Sequence, residues 1–461
     1  MLVVFAPAVR SQSAGGVIDL RADAAVQIEQ IESILEDPRD MPAPNQVVFL
    51  RWLIELYEFV GEIDKVEPCY RRILSFYPYD VGTLNAYARF LFEQKEAPAR
   101  AESLLYDATL WGKYTDARSL DRGHTFELLS RVELAGGRLE EAIRDASTAI
   151  ALVDEESAAG PLRVLAEAYV QSGAFDQAAD TYLELIALER GLIPEDINAL
   201  KLFADRSKYG DAGDLNDVIA KAVERKNEDR RRRLEATGAE QVVISSDDGV
   251  RLEASLRRGH ESGPGGAVLF IHDLGGTRSG FVPSAELLFV DGVTTLSVDL
   301  RAHGGSRTDS LRSIEDLTAH HAEALVDDVI AGYRYLAEKF AIADGRIVIV
   351  AAGRSCALVE KALYRGHLSA PVVYLSPVFD REDRGLRNAI AFHTDLPILV
   401  LYSTEDFEVR RTLQTFTDVK SFPQLDARPL SEAGHGIDVL RRDPAALERF
   451  REWILESLAG S

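Results

Sequence analysis

The sequence predicts two unlike parts: an all-α helical repeat array, followed by an α/β domain with a mostly parallel, doubly wound sheet. Three observations support this division. Residues 23–235 carry repeated pairs of helical apolar patterns, the pattern changes near residue 239 to short apolar runs bounded by Gly and Asp, and helical segments separate most of those runs. Strands that alternate with helices predict a parallel sheet covered on both faces.

Composition limits the classes of protein and partner. A chain of 461 residues is long for one domain, and its content of 46% hydrophobic and 28% charged residues is typical of a globular protein with a sizeable core. The formal net charge of −23 disfavours nucleic acid or an anionic bilayer as a partner, because such binding depends on clustered Lys and Arg. The two cysteines fall in different predicted domains, so no disulfide framework is expected.

Residues 1–22 are interpreted as an N-terminal tail. They begin with a short apolar stretch followed by small residues, but lack the basic segment that opens a signal peptide. We therefore expect a cytoplasmic protein; the alternative is an exported or periplasmic protein whose first residues are the remnant of a signal peptide. No apolar run approaches the roughly 20 residues of a membrane span.

The repeat is clearest in residues 47–78 and 159–190. Each segment is predicted to form two helices joined at a glycine, with apolar residues spaced so that the helices face each other. Less regular units begin near Val81 and Gly123, and the set is flanked by one leading helix and by trailing helices through about residue 235. The four units exceed the roughly three that a stacked array needs to bury a continuous core.

These units resemble the tetratricopeptide repeat, a helix pair of about 34 residues. The resemblance implies a curved array with a concave surface, which in such proteins commonly binds peptides or proteins. The alternative, weighed equally, is that the array packs on the second domain and restricts what enters its crevice. No pattern in the repeats identifies a peptide partner.

The second part, residues 239–461, contains a predicted hairpin and five further predicted strands. The hairpin is "EQVVISSDDGVRLEASL", which turns at Asp248 and Gly249. The other strands lie in "GAVLFIHDLGG", "TTLSVDLRAHGGS", "RIVIVAAGRS", "PVVYLSP" and "PILVLYSTED". Ligands of such sheets bind at the carboxyl ends of the strands, and the polar clusters of these segments lie at those ends.

One strand end carries a candidate nucleophile. The segment "AAGRSCAL" follows the apolar run "RIVIV" and contains G-x-S-x-A, with Ser355 at its centre. This resembles the G-x-S-x-G turn of the α/β-hydrolases, in which small residues let the chain turn sharply from a strand into a helix. The resemblance covers essentially all of residues 239–459 and implies that Ser355 is the catalytic nucleophile.

The order of the partners agrees with that resemblance, because the family's triad runs Ser, then acid, then His. His435, in "EAGHGID", is the one histidine of nine beyond the run "PILVLY", and the resemblance makes it the base. The acid is expected in "STEDFEV". Asp406 fits the family's D-x-x-V spacing, while Glu405 and Glu408 also stand in this segment. Asp406 would orient the imidazole of His435 and stabilise its protonated form.

The resemblance also implies an oxyanion hole, made by the amide after the nucleophile and one from an early strand-helix loop. Cys356 supplies the first amide. Leu274 supplies the second, from "IHDLGG", which is similar to the family's H-G-x-x-G loop with Asp273 replacing the glycine. The segment "DLRAHGGS" resembles a further family landmark, D-x-R-G-H-G-x-S, and is interpreted as a structural turn with His303 as a hydrogen-bonding residue.

The resemblance therefore implies a serine hydrolase that cleaves an ester, thioester or amide of a small-molecule or acyl substrate through an acyl-enzyme. Only a short segment separates "VVYLSP" from "PILVLY", so no large cap is expected. No metal or nucleotide motif is found, and no cofactor is expected. The alternative is a non-enzymatic adaptor, in which the repeats bind a protein and the hydrolase domain is a degenerate scaffold.

Overall fold

The structure, a computed structural model, describes residues 20–36, 41–114, 119–153, 155–210, 214–260, 263, 265–379, 397–404, 409, 425–430 and 433–459. Residues 1–19, and with them most of the predicted tail, lie outside this set. The described residues divide into two compact units between Glu228 and Asp229.

The first unit is built from helices, as predicted. The helices up to the start of the sheet are α1 Leu20–Glu36, α2 Ala43–Val60, α3 Val66–Phe76, α4 Val81–Glu93, α5 Pro98–Trp111, α6 Ser119–Ala135, α7 Leu139–Leu152, α8 Ala159–Ser172, α9 Phe175–Leu188, α10 Pro194–Lys201 and α11 Leu215–Ala236. The four predicted helix pairs correspond to α2 with α3, α4 with α5, α6 with α7, and α8 with α9, and the two helices of each pair pack together.

The glycines between paired helices end the first helix of the pair. Gly61 follows α2 with φ 86°, and Gly173 follows α8 with φ 77°. This left-handed conformation is costly for other residues and lets the chain reverse within a few positions. Where helices approach closely, small side chains such as Ala142 and Ala178 are completely buried.

The second unit contains one eight-stranded sheet. Its strands are β1 Glu240–Ser245, β2 Arg251–Arg257, β3 Ala267–Ile271, β4 Thr294–Val298, β5 Ile347–Ala352, β6 Val372–Leu375, β7 Ile398–Ser403 and β8 Leu425–Leu430. The strand order is β1-β2-β4-β3-β5-β6-β7-β8; β2 is antiparallel to both of its neighbours, and the remaining pairs are parallel. The predicted hairpin is confirmed, with Gly249 left-handed in its turn.

Helices cover both faces of this sheet. They are α12 Val282–Val290, α13 Ala319–Phe340, α14 Ser355–Gly366, α15 Asp438–Arg442 and α16 Pro444–Ala459. Every residue of β3, β5 and β6 is buried. Leu269 and Ile349 pack in the core that includes α13 and α14, whereas Phe270 and Val350 pack in the core that includes α12 and α16. The predicted doubly wound sheet is therefore confirmed, and its polar strand ends face one edge.

The sequence patterns did not predict β8, which pairs with β7 at the edge of the sheet. Its sequence, "LDARPL", contains two charged residues and a proline, and only its two terminal leucines are buried. Pro429 cannot donate a backbone hydrogen bond, which an edge strand tolerates because one of its sides has no partner strand.

Candidate active site

The chain turns sharply after β5 at Gly353. This residue has φ 55°, in the left-handed region, while Arg354 is already helical with φ −70° and ψ −23°. The Gly353 amide donates to the Leu375 carbonyl at 2.9 Å, which continues the pairing of β5 with β6. Gly353 therefore occupies the elbow between strand and helix, and Ser355 is the first residue of α14.

Ser355 is completely buried at this position. Its Oγ forms no hydrogen bond with any part of the chain that the structure describes. The hydroxyl of the predicted nucleophile is thus not hydrogen-bonded to His435, the predicted base. The amide of Cys356 donates to the Gly353 carbonyl, at 3.4 Å, inside the turn.

The carboxylate of Asp273 lies on the elbow instead. Asp273 follows β3, and its Oδ1 accepts a hydrogen bond from the Leu274 amide and another from the Arg354 amide, each at 2.8 Å. A Cβ added at Gly353 would lie 2.2 Å from Asp273 Cγ. The carboxylate therefore fills the space that a side chain at the elbow would need, and glycine leaves that space open.

The two amides around Oδ1 have the arrangement of an oxyanion hole, which uses the amide after the elbow residue and one from the loop after β3. Leu274 is the loop amide that the sequence predicted. The other amide that contacts Oδ1 is that of Arg354, whereas the amide of Cys356 donates to the Gly353 carbonyl. The left-handed residue of the turn, Gly353, lies two positions before Ser355. A negatively charged oxygen already sits between the two donors.

His435 lies on the other side of the carboxylate. Its Nε2 is 3.7 Å from Asp273 Oδ2, and the two side chains are 44% and 31% exposed. Gly434 and Gly436 flank it with φ of 80° and 58°, and these conformations shape the loop that carries the imidazole. The imidazole and the carboxylate oxygen therefore lie close together, and both side chains are partly exposed.

The predicted acid cannot be placed in this arrangement. Asp406, Glu405 and Glu408 lie outside the described residues. Val409, three residues after Asp406, is described and is completely buried.

Two histidines fix the loop that carries Asp273. His272 Nε2 accepts from the Leu300 amide at 3.1 Å, and its Nδ1 donates to the Asp273 carbonyl at 2.7 Å. His303 Nε2 accepts from the Gly275 amide at 3.0 Å. Both rings therefore act as neutral hydrogen-bonding groups that hold the backbone around Asp273.

His303 is buried, and this burial lowers its pKa to about 4. Its Nδ1 donates to the Arg301 carbonyl at 2.8 Å. The contacts agree with the prediction that His303 is a hydrogen-bonding residue. Nearby, burial alone would raise the pKa of Asp299, but the Arg278 guanidinium, 2.6 Å from its Oδ2, brings that pKa below its usual range. Within the "DLRAHGGS" segment, His303 therefore holds the loop after β3, and Asp299 forms an ion pair with Arg278.

Asp273 and Gly353 are the residues that the motif match did not assign to the chemistry. The signal for Asp273 was present, since an acid replaces the glycine of the H-G-x-x-G pattern. The signal for Gly353 was its place at the end of the run Ala351, Ala352 and Gly353, where glycine is the residue that adopts a left-handed turn without strain. Among the described residues, no cluster of three or more His, Cys, Asp or Glu could hold a metal ion. No described helix is long and apolar enough to cross a membrane.

A match to a family model agrees with the fold of the C-terminal unit. Residues 268–455 match the model of the alpha/beta hydrolase family. No curated protein matches the chain. Similar solved structures include a dienelactone hydrolase from Anabaena variabilis, with 19% identity, a TM-score of 0.36, and coverage of 48% of this chain and 96% of that one. An esterase from Pyrococcus furiosus has 15% identity, a TM-score of 0.38, and coverage of 49% and 91%. The 2,6-dihydroxy-pseudo-oxynicotine hydrolase has 15% identity, a TM-score of 0.40, and coverage of 67% and 90%.

The mostly parallel eight-stranded sheet and the family match over residues 268–455 point to the same conclusion. The C-terminal unit has the fold of the α/β-hydrolase type, and residues 268–455 within it are similar to that family.

Proposed function

We propose that this edge of the sheet hydrolyses a small-molecule substrate, with Asp273 and His435 as the reacting side chains. The observation that carries the proposal is the position of one carboxylate. Asp273 Oδ1 accepts from two backbone amides at 2.8 Å, while Oδ2 lies 3.7 Å from the imidazole of His435. Nucleophile, base and oxyanion donors are the parts that hydrolysis by this fold requires.

Each group has a distinct role in the proposal. The Asp273 carboxylate attacks the substrate, since a carboxylate can form a covalent intermediate. The His435 imidazole removes a proton from the water that completes the reaction. The amides of Leu274 and Arg354 stabilise the negative charge that develops between them, and loss of one such donor typically costs about 3 kcal/mol of transition-state stabilisation.

The acyl-enzyme on Ser355, with His435 as base and Asp406 as acid, is the competing proposal for the same fold. It would require the first turn of α14 to open, because the Ser355 side chain is completely buried. It would also require Asp273 to release the two amides, so that a substrate carbonyl oxygen could accept from them. Asp273 needs neither change, and for this reason we favour it.

The helical unit is proposed to restrict the substrate or to bind a protein partner. Removal of residues 1–235 should then widen the range of substrates or lower the stability of the remaining unit. Kinetics and stability that stay unchanged would contradict the restricting role. A protein that binds residues 23–235 in a pull-down and also binds the full chain would support the binding role.

The test compares four variants on a panel of acyl esters, thioesters, amides and compounds with a leaving group on a saturated carbon. Asp273→Asn keeps an oxygen that can accept from both amides but removes the charge. His435→Gln removes the base. Ser355→Ala tests the serine, and Asp309→Asn is the matched control, because Asp309 is exposed and remote in sequence from the site residues.

We expect turnover to fall about a hundredfold to ten-thousandfold in Asp273→Asn and His435→Gln, the range for loss of a positioned acid-base group. Ser355→Ala and Asp309→Asn should stay within about twofold of the unmodified chain, since neither change alters the reacting groups. Loss confined to Ser355→Ala and His435→Gln would establish the serine mechanism instead. If the unmodified chain turns over no compound faster than Asp273→Asn does, the result would favour the non-enzymatic adaptor.

A further inference from the structure

A cavity of about 480 Å³ lies in the helical unit, where α1, α2 and α3 meet. Small-molecule sites commonly have volumes of about 300 to 1,000 Å³, so this cavity is large enough for a ligand. Glu36 and Pro68 are exposed members of its lining, which gives a ligand access from solvent. All of the lining residues belong to the helical unit, and the cavity is therefore distinct from the candidate active site.

The buried part of the lining is apolar. Leu35 of α1 and Leu50 and Leu53 of α2 line the cavity, and all three are buried in the core of the helical unit. Cys69 of α3 is a further lining residue, and burial raises the pKa of its thiol to about 11, so the thiol is uncharged near pH 7. This surface suits an aliphatic chain, because their contact removes apolar surface of both partners from water.

Two of the charged lining residues neutralise each other. Glu32 accepts a hydrogen bond from the Tyr57 hydroxyl at 2.6 Å and another from Lys65 Nζ at 3.0 Å. These hydrogen bonds hold the pKa of Glu32 below its usual range, with Tyr57 making the larger contribution. Lys65 also forms an ion pair with Glu62, at 2.9 Å. This side of the cavity therefore has little net charge to attract an ionic ligand.

Arg72 is a lining residue of a different kind. Its Nη2 donates to Gln46 Oε1 at 2.9 Å, and Gln46 Nε2 donates in turn to the Met41 carbonyl at 2.9 Å. Gln46 is buried, so these hydrogen bonds fix the guanidinium against the cavity. In the part of the chain that the structure describes, no carboxylate pairs with Arg72. Its charge and most of its five N–H donors are thus available to a ligand.

We propose that this cavity binds a carboxylic acid with an aliphatic chain. The chain packs on the leucines, and the carboxylate accepts hydrogen bonds from Arg72. A guanidinium and a carboxylate can form two parallel hydrogen bonds, which orient the ligand as well as attract it. Glu36 also lines the cavity, but it is exposed, so water and salt screen its repulsion of the ligand. An alkylammonium ion would instead meet Arg72 with like charge, which disfavours it.

The experiment is calorimetric titration of the full chain with octanoate, octanol and octylammonium. We expect one octanoate to bind per chain. Octanol and octylammonium should bind about tenfold to a hundredfold more weakly, because neither offers a carboxylate for charge-assisted hydrogen bonds. The cavity lies within the helical unit, so this result is expected whether or not the other unit hydrolyses a substrate.

Variants at two neighbouring arginines test which cation is used. Arg72→Gln should weaken octanoate binding about tenfold or more and leave octanol binding within about twofold. Arg71→Gln is the matched control, because Arg71 is exposed and lies outside the lining, and it should bind octanoate as the unmodified chain does. Arg72→Lys keeps the charge without the planar fork, so its affinity should fall between those of Arg72→Gln and the unmodified chain.

Cys69 reports where the ligand lies. Octanoate at ten times its dissociation constant should slow alkylation of Cys69 by N-ethylmaleimide about tenfold, as followed by peptide mass spectrometry. An unchanged alkylation rate would mean that octanoate binds elsewhere and would overturn the inference. It would also be overturned by equal affinities for octanoate and octanol, by octanoate affinity that is unchanged in Arg72→Gln, or by no saturable binding at millimolar octanoate. If Arg72→Gln does not fold, Arg72→Lys binding octanoate as tightly as the unmodified chain would contradict recognition by the guanidinium fork.

Discussion

Gly353→Ala tests the contact between the elbow and Asp273 through stability alone. The added methyl group would lie 2.2 Å from Asp273 Cγ, so the carboxylate must leave its two amide donors. Hydrogen bonds to a charged group contribute about 1.5 to 3 kcal/mol each. The Asp273 side chain is 31% exposed, so hydrogen bonds from water compensate for part of the lost free energy. We therefore take about 1 kcal/mol for each of the two hydrogen bonds. Alanine at φ 55° adds about 1 to 2 kcal/mol.

The substitution should therefore lower the free energy of unfolding of the C-terminal unit by about 3 to 4 kcal/mol. In an Asp273→Gly background the same change should cost only the backbone strain of about 1 to 2 kcal/mol, since the group that the methyl meets is gone. The expected coupling between the two positions is thus about 2 kcal/mol. It can be measured by urea unfolding followed through Trp453, with Trp52 and Trp111 replaced by Phe in every variant.

Additivity within about 0.5 kcal/mol would refute the reasoning, because positions that do not interact have additive effects. A matched substitution at Gly249, Gly249→Ala, controls for the strain term. Gly249 is also left-handed, but a Cβ there meets nothing within 4 Å, so its cost should be that of the backbone alone and should not depend on Asp273.

Three further predictions concern buried groups. Burial raises the pKa of Glu360 to about 8, from 4.5. The folded state then holds the proton more tightly than the unfolded chain, so stability should fall by up to about 1.4 kcal/mol per pH unit as pH rises from 4.5 to 8, and Glu360→Gln should flatten this slope in urea titrations. Burial lowers the pKa of His303 to about 4, from 6.5, so its contribution has the opposite sign: stability should fall as pH drops from 6.5 to 4, and His303→Gln should remove that part of the loss. A fluorophosphonate probe should leave Ser355 unlabelled in the native chain, because the side chain is buried; labelling that disappears in Ser355→Ala would support the serine mechanism.

Much of the fold could be predicted because its signals are local. The change of hydrophobic period near residue 239 separates the helical unit from the sheet, and Gly61, Gly137 and Gly173 mark where three of the four helix pairs reverse. The strand β8 carries no such signal. Its polar residues are acceptable at the edge of a sheet, and only pairing with β7 makes the segment a strand.

The candidate site was predictable only in part, because the point at which the chain leaves β5 is not fixed by the local sequence. Leu274 and His435 follow from motif spacing and do lie at this edge. The position of the elbow depends on where β5 stops pairing with β6, and the small residues from Ala351 to Gly353 allow several turning points. The hydrogen bond from the Arg354 amide to Asp273 joins residues 81 positions apart, and no local pattern encodes such a contact.

The most direct measurement of the central claim is the ratio of two turnover numbers on one substrate, that of Ser355→Ala over that of Asp273→Asn. If the carboxylate on the elbow performs the chemistry, this ratio should be about a hundred or more. A ratio below one would show that the buried hydroxyl carries the reaction and that Asp273 merely fills the space between two amides.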